Sequence, residues 1–193
     1  MKDTMKMLVF VLVLGAAWTT ALVGVDSWTA PLIKAYEEEM VRKSVLETLN
    51  IPCEGEDVAR VFEENVEKDE IGGKTVFRSK AGDVVFEIKG AGSQGPISGV
   101  MALEKDLTTI KGINIVGNVE TPGLGTRVLA RENLEKFKGK KFQPRILIVP
   151  EGKAGEVYEV DGVTGATLTG NAFQKILNDE REAHVKAIRG GGE

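Results

Sequence analysis

Cysteine and histidine are almost missing from this 193-residue chain, where Cys53 and His184 stand alone. A single cysteine excludes an intramolecular disulfide and a cysteine-ligated metal cluster. A single histidine removes His-rich metal sites, Ser-His-Asp triads and Cys-His pairs together. Redox chemistry on such a chain would need an organic cofactor. The lone thiol itself reads as buried and inert. Basic charge is also short: 25 Lys and Arg face 29 Asp and Glu, for a net charge of -4 and a pI near 5.3. Phosphate backbones demand clustered cations, so no nucleic-acid partner is expected. Hydrophobic residues at 42% and charged residues at 28% suit a globular protein and argue against disorder.

Charge is absent altogether from Met7 to Val25. At about 1.5 Å per residue this apolar run nearly crosses a ~30 Å hydrocarbon core. Trp28 follows at an interfacial position, Lys2 and Lys6 precede the run, and Asp26 ends it. The asymmetry predicts a cytoplasmic N-terminus with the rest of the chain on the extracytoplasmic side. A cleaved signal peptide is the rival reading. Its apolar part is shorter, roughly 7–15 residues, and small residues such as Thr20 and Ala21 could serve cleavage. No cysteine near the end of the run is available for lipid attachment.

Periodicity predicts the remaining elements. Leu32, Ile33, Tyr36, Met40, Val41, Val45, Leu46 and Leu49 recur at helical spacing, with Pro31 in a first turn and Pro52 as the stop. A short helix is expected over 57–66. Strands are expected over 74–79 and 83–89, joined by Lys80-Ala81-Gly82, then over 97–103 and 108–119 with a bend at Lys105-Asp106. A helix over 127–138, strands over 145–149 and 157–163, and a closing helix over 168–189 complete the chain. Strands are grouped rather than alternating with helices, which indicates α+β. The divisions expected are 1–28 as anchor, 29–70 as helical linker, 71–189 as the main domain and 190–193 as a flexible tail.

Two glycine motifs mislead. Gly90-Ala91-Gly92-Ser93-Gln94-Gly95 fits G-x-G-x-x-G, but Pro96 and an alternating apolar run follow where a dinucleotide site needs a helix. Gly72-Gly73-Lys74-Thr75 ends like a P-loop, yet its first glycine would fall on Lys68. Both read as turns between strands.

Two other loops can carry chemistry. Asp161-Gly162-Val163-Thr164-Gly165-Ala166-Thr167 joins a strand to the last helix. Backbone N–H groups and the helix dipole favour an anion there. Taken alone, the turn reads more simply as a Thr N-cap. Glu120-Thr121-Pro122-Gly123-Leu124-Gly125 combines close backbone approach with polar and apolar side chains, a mixture that suits a flat heteroaromatic ring. Alone, it too could be an ordinary Pro-Gly turn.

Together the two loops resemble the FMN-binding domain family. Its members include subunits of the Rnf-type ferredoxin:NAD+ oxidoreductase (RnfG) and of the sodium-pumping NADH:quinone reductase (NqrC). Gly95-Pro96-Ile97 resembles the family's segment opening a central strand. The resemblance implies a transmembrane helix followed by a mixed or antiparallel-sheet FMN-binding domain with flanking helices. It implies FMN esterified to Thr167, with Thr164, Gly165 and Ala166 along the phosphate. Glu120, Thr121, Leu124 and Gly125 would meet the ring or ribityl chain. Asp161 would help a separate flavin transferase during maturation. The implied role is electron relay within a membrane complex, with no complete reaction catalysed alone, and the compact length points to the Rnf type. A membrane-tethered sensory module and a purely structural assembly subunit are the alternatives.

Overall fold

The computed structural model describes residues 2–53 and 57–190. The chain divides into two compact units, Met1–Glu39 and Met40–Glu193. Helix α1 runs Lys2–Thr48 without a break, and Pro31 lies inside it. This corrects the expectation of a new helix opening at Pro31. Proline removes one N–H bond, but its fixed φ is compatible with helix, and the flanking apolar sequence propagates through it. The helix is long and apolar enough to cross a membrane. Phe10, Leu12, Trp18 and Leu22 are all exposed along it.

In the second unit, Asp57 caps α2 (Val58–Asn65) by accepting hydrogen bonds from the Ala59 and Arg60 N–H groups. Five strands follow: β1 (Val66–Ile71), β2 (Lys74–Ser79), β3 (Val84–Ala91), β4 (Pro96–Leu103) and β5 (Ile110–Asn118). They form one antiparallel sheet in sequence order. Strand β1 falls in the stretch read as helical linker. Val66-Glu67-Lys68-Asp69-Glu70 offers little apolar alternation, and its pairing with β2 places it in the sheet. The two glycine motifs are hairpin turns, at Gly72-Gly73 between β1 and β2 and at 92–95 between β3 and β4.

Alternation along the strands splits the interior into two layers. Val76, Val84, Phe86, Ile88, Ile97, Met101 and Leu103 face one cluster, whereas Phe77, Val85, Val100 and Ala102 face the other. Val45, Leu46 and Leu49 from the end of α1, with Phe62 of α2, cover the second face. Cys53 is buried in the same layer.

The region read as one helix over 127–138 consists of α3 (Gly125–Val128), α4 (Arg131–Leu134) and a 3-10 turn (Glu135–Phe137). Ala130 between them is extended, with ψ 144°. The break lets Leu129, Leu134 and Phe137 reach the core from successive short segments. Strands β6 (Leu147–Val149) and β7 (Glu159–Asp161) pair in parallel. Helix α5 (Thr167–Gly190) lays Phe173, Ile176, Leu177 and Val185 over the first face of the sheet.

Candidate functional site

The site forms where β5, β6 and β7 deliver their following loops to the start of α5. In the turn after β7, the Ala166 N–H donates to Val163 O, and Ala166 O accepts the first helical bond from the Gly170 N–H at 2.9 Å. Ala166 therefore holds the capping position, and Thr167 is the first residue inside the helix. Thr167 is exposed and Ala166 buried. The reading of Thr167 as an ordinary N-cap is thereby replaced. Gly165 sits at φ +86°, a left-handed conformation that costs a side-chain-bearing residue about 1–2 kcal/mol.

The loop after β5 is held from beneath by Glu120, which is only 4% exposed. Its Oε1 accepts from the Ser93 N–H at 2.6 Å and the Gln94 N–H at 3.2 Å, and its Oε2 accepts from the Thr169 hydroxyl at 2.7 Å. Burial raises the carboxyl's pKa, but these donors, Thr169 foremost, outweigh it and hold Glu120 below its ordinary value. One side chain thus ties the β3–β4 turn, the 119–125 loop and the first turn of α5. Gly125 is buried against this knot: a Cβ there would lie 2.5 Å from Glu120 Oε2 and 2.7 Å from Thr169 Oγ1. Thr121 supports its own loop, its carbonyl accepting from the Leu124 and Thr126 N–H groups.

The two loops meet at their tips. A Cβ on Gly165 would lie 3.7 Å from Leu124 Cδ2. Leu124, Val119 and Leu168 remain exposed apolar side chains around Thr167. Beside them a cavity of about 380 Å³ is lined by Ile148, Glu151, Thr164, Gly165, Thr167 and Asn171, among others. Its volume falls within the range of small-molecule sites. The residues fit a phosphorylated heteroaromatic group: an accessible hydroxyl at a helix start, a left-handed glycine beside it, and apolar side chains at the rim.

Asp161 and Glu151 set the charge of this region. Asp161 Oδ1 accepts from the Lys153 N–H at 3.0 Å and the Ala154 N–H at 2.9 Å, fixing the turn before β7. The Ala154 bond contributes most to holding the Asp161 carboxyl below its ordinary pKa. Glu151 Oε2 accepts from the Thr164 hydroxyl at 2.7 Å and the Thr164 N–H at 3.3 Å. Those bonds, the hydroxyl's first, lower the Glu151 pKa, with Lys136 and Arg127 acting in the same direction from nearby. Among the described residues no group of three His, Cys, Asp or Glu is placed to hold a metal.

Sequence reasoning missed Glu151, Thr169, Val119 and Leu168. Glu151 stands 13 residues from Thr164, and Thr169 stands 49 from Glu120. No local spacing rule reports such pairs.

Residues 92–180, which contain both loops, match the FMN-binding domain family. Over that span the chain belongs to the family. NqrC of Vibrio anguillarum, from the Na(+)-translocating NADH-quinone reductase, is 32% identical over 154 residues, covering 75% of this chain and 58% of that one. The chain therefore spans less than two thirds of that relative. The crystal structure of Shewanella oneidensis NqrC superposes with a TM-score of 0.66 at 22% identity, over 77% of this chain and 99% of that one. The corresponding protein from Parabacteroides distasonis gives a TM-score of 0.69 at 22% identity, over 80% and 94%. At that identity the likeness establishes the fold: this FMN-binding domain shares the α+β architecture of those chains.

Proposed function

We propose that this protein is an electron-carrying subunit of a membrane-bound, ion-translocating redox complex, with FMN esterified to Thr167. The observation that carries the reading is the meeting of the 120–125 and 161–167 loops around the exposed Thr167, inside the span that matches the family. FMN supplies one- and two-electron chemistry when bound. The chain's own residues hold it. Thr167 Oγ1 provides the ester oxygen, attacking phosphorus of an FAD donor as AMP leaves and the hydroxyl proton is lost. Thr164, Gly165 and Ala166 flank the phosphate, which the first N–H groups of α5 favour. Leu124 covers the ring, with Thr121 and Gly125 on the same loop and Glu120 beneath it. Asp161 shapes the loop that the flavin transferase recognises.

Helix α1 anchors the domain in the cytoplasmic membrane, with its N-terminus inside and the FMN outside. Covalent attachment is useful there, because lost FMN could not readily be replaced. The protein relays electrons between partner subunits and completes no reaction alone. Compact length favours the Rnf type, whereas the NqrC relatives favour the sodium-pumping quinone reductase. Co-purified partner subunits distinguish the two.

The test of attachment is mass spectrometry of protein made with its flavin transferase. The peptide bearing Thr167 should gain FMN less one water, Thr167→Ser should retain the flavin, and Thr167→Ala should lose it with an unchanged circular dichroism spectrum. An unmodified Thr167 peptide from an active complex would defeat the proposal.

A further inference from the structure

Glu151 has no place in the attachment scheme above, yet its carboxylate occupies two donors of the loop that scheme uses. The Thr164 hydroxyl and N–H both point to Glu151 Oε2, at 2.7 and 3.3 Å. Glu151, Thr164 and Thr167 line one cavity. An N–H and an O–H converging on one anionic oxygen form an anion seat, and charge-assisted bonds of this type are the stronger class. Here the seated anion belongs to the protein.

A phosphodiester on Thr167 brings a second negative charge to the same cavity. Two anions cannot share the Thr164 donors without repulsion. The tethered phosphate has the advantage, because attachment at Thr167 gives it a high effective concentration at the seat. The released carboxylate has cations within reach of its field, Lys136 and Arg127, which already favour its charged form.

We propose that Glu151 is a positioning residue for flavin attachment: it holds the Thr164 donors in the unmodified protein and yields them to the phosphate once the Thr167 ester forms. This rests on the proposed attachment at Thr167. By satisfying both donors it keeps the 161–167 turn in shape while no phosphate is present, and it presents Thr167 in a folded loop. The handover then exchanges one anion for another, so the seat is filled in both states.

The test follows the Thr164 amide by ¹H–¹⁵N NMR through an acid titration, using the full chain in detergent before and after flavin transfer. Before transfer, the Thr164 resonance should shift as Glu151 protonates, and Glu151→Gln should abolish that shift while leaving the other amides in place. After transfer, the wild-type Thr164 amide should lose the titration. The ³¹P resonance should then respond to Thr164→Val. Persistence of the Glu151 titration at Thr164 in protein that carries phosphorus on Thr167 would overturn the handover alone. Absence of phosphorus on Thr167 in every preparation would instead remove the attachment reading, and the handover with it.

Discussion

At the scale of single residues, Glu120 decides whether the site keeps its shape. A carboxylate taken out of water is tolerated only when its lone pairs are satisfied. Here Ser93, Gln94 and Thr169 satisfy them from three separate segments. Glu120→Ala leaves two backbone N–H groups facing a void beside Gly125 and should destabilise the domain by about 3 kcal/mol or more. Glu120→Gln keeps the shape and one acceptor oxygen, so it should cost nearer ~1 kcal/mol. Denaturant midpoints separate the two. The sign of the pH effect follows from the lowered folded-state pKa. The contribution is fully present above the ordinary glutamate value of 4.5 and is lost as pH falls through the folded value. Asp106 acts likewise. Burial raises its pKa, but hydrogen bonds from Thr109 and Thr108 more than reverse this and hold it well below 3.8. The acid limb of the stability curve should therefore flatten in Glu120→Gln. An unchanged limb would show that this carboxylate is not seated as described.

At the scale of elements, regular packing was readable and irregular packing was not. The apolar runs Val84-Val85-Phe86 and Val100-Met101-Ala102-Leu103 announced strands, and the sheet buries both faces of each. The Asp106 bend and the Lys80-Ala81-Gly82 turn also fell where turn chemistry placed them. The 127–138 segment misled because its leucines keep helical spacing while Ala130 turns extended to bring them to the core. Both site loops were visible as motifs. What joins them, the Glu120–Thr169 bond, spans 49 residues and needs the fold to exist. Asn178 offers a further test of such long-range ties. From the middle of α5 its side chain accepts from the Ile146 N–H and donates to the Ile146 carbonyl, both at 2.9 Å. This pair pins the chain entering β6 to the helix that begins with Thr167. Asn178→Ala leaves both buried groups unpaired and should cost about 2–4 kcal/mol. Hydrogen exchange at Ile146 and Ile148 should accelerate more than at Phe86 in β3. Uniform acceleration across the sheet would show that the tie is not local.

At the scale of the whole molecule, the two units obey different solvents. Met40–Glu193 closes two apolar layers around one sheet and buries Val45, Phe86, Met101 and Phe173 completely. Met1–Glu39 leaves its apolar side chains outward, from Leu8 through Trp28. Each large apolar side chain moved from water into hydrocarbon contributes about 1.5–3 kcal/mol, so a run of this length favours the bilayer decisively. The helix-filling sequence and the flanking Lys2 and Lys6 then set direction. Two outcomes follow for the protein in cells. The full chain should stay with the membrane through an alkaline carbonate wash, and its intact mass should retain Met7–Val25, as a cleaved leader would not. Chain beginning at Met40 should appear in the soluble fraction, with the thermal midpoint of the domain preserved because the core residues all lie beyond the cut. External protease should reach the domain in spheroplasts without lysis. Should the domain be degraded only after lysis, the orientation would be reversed, and flavin bound at Thr167 would be facing the cytoplasm.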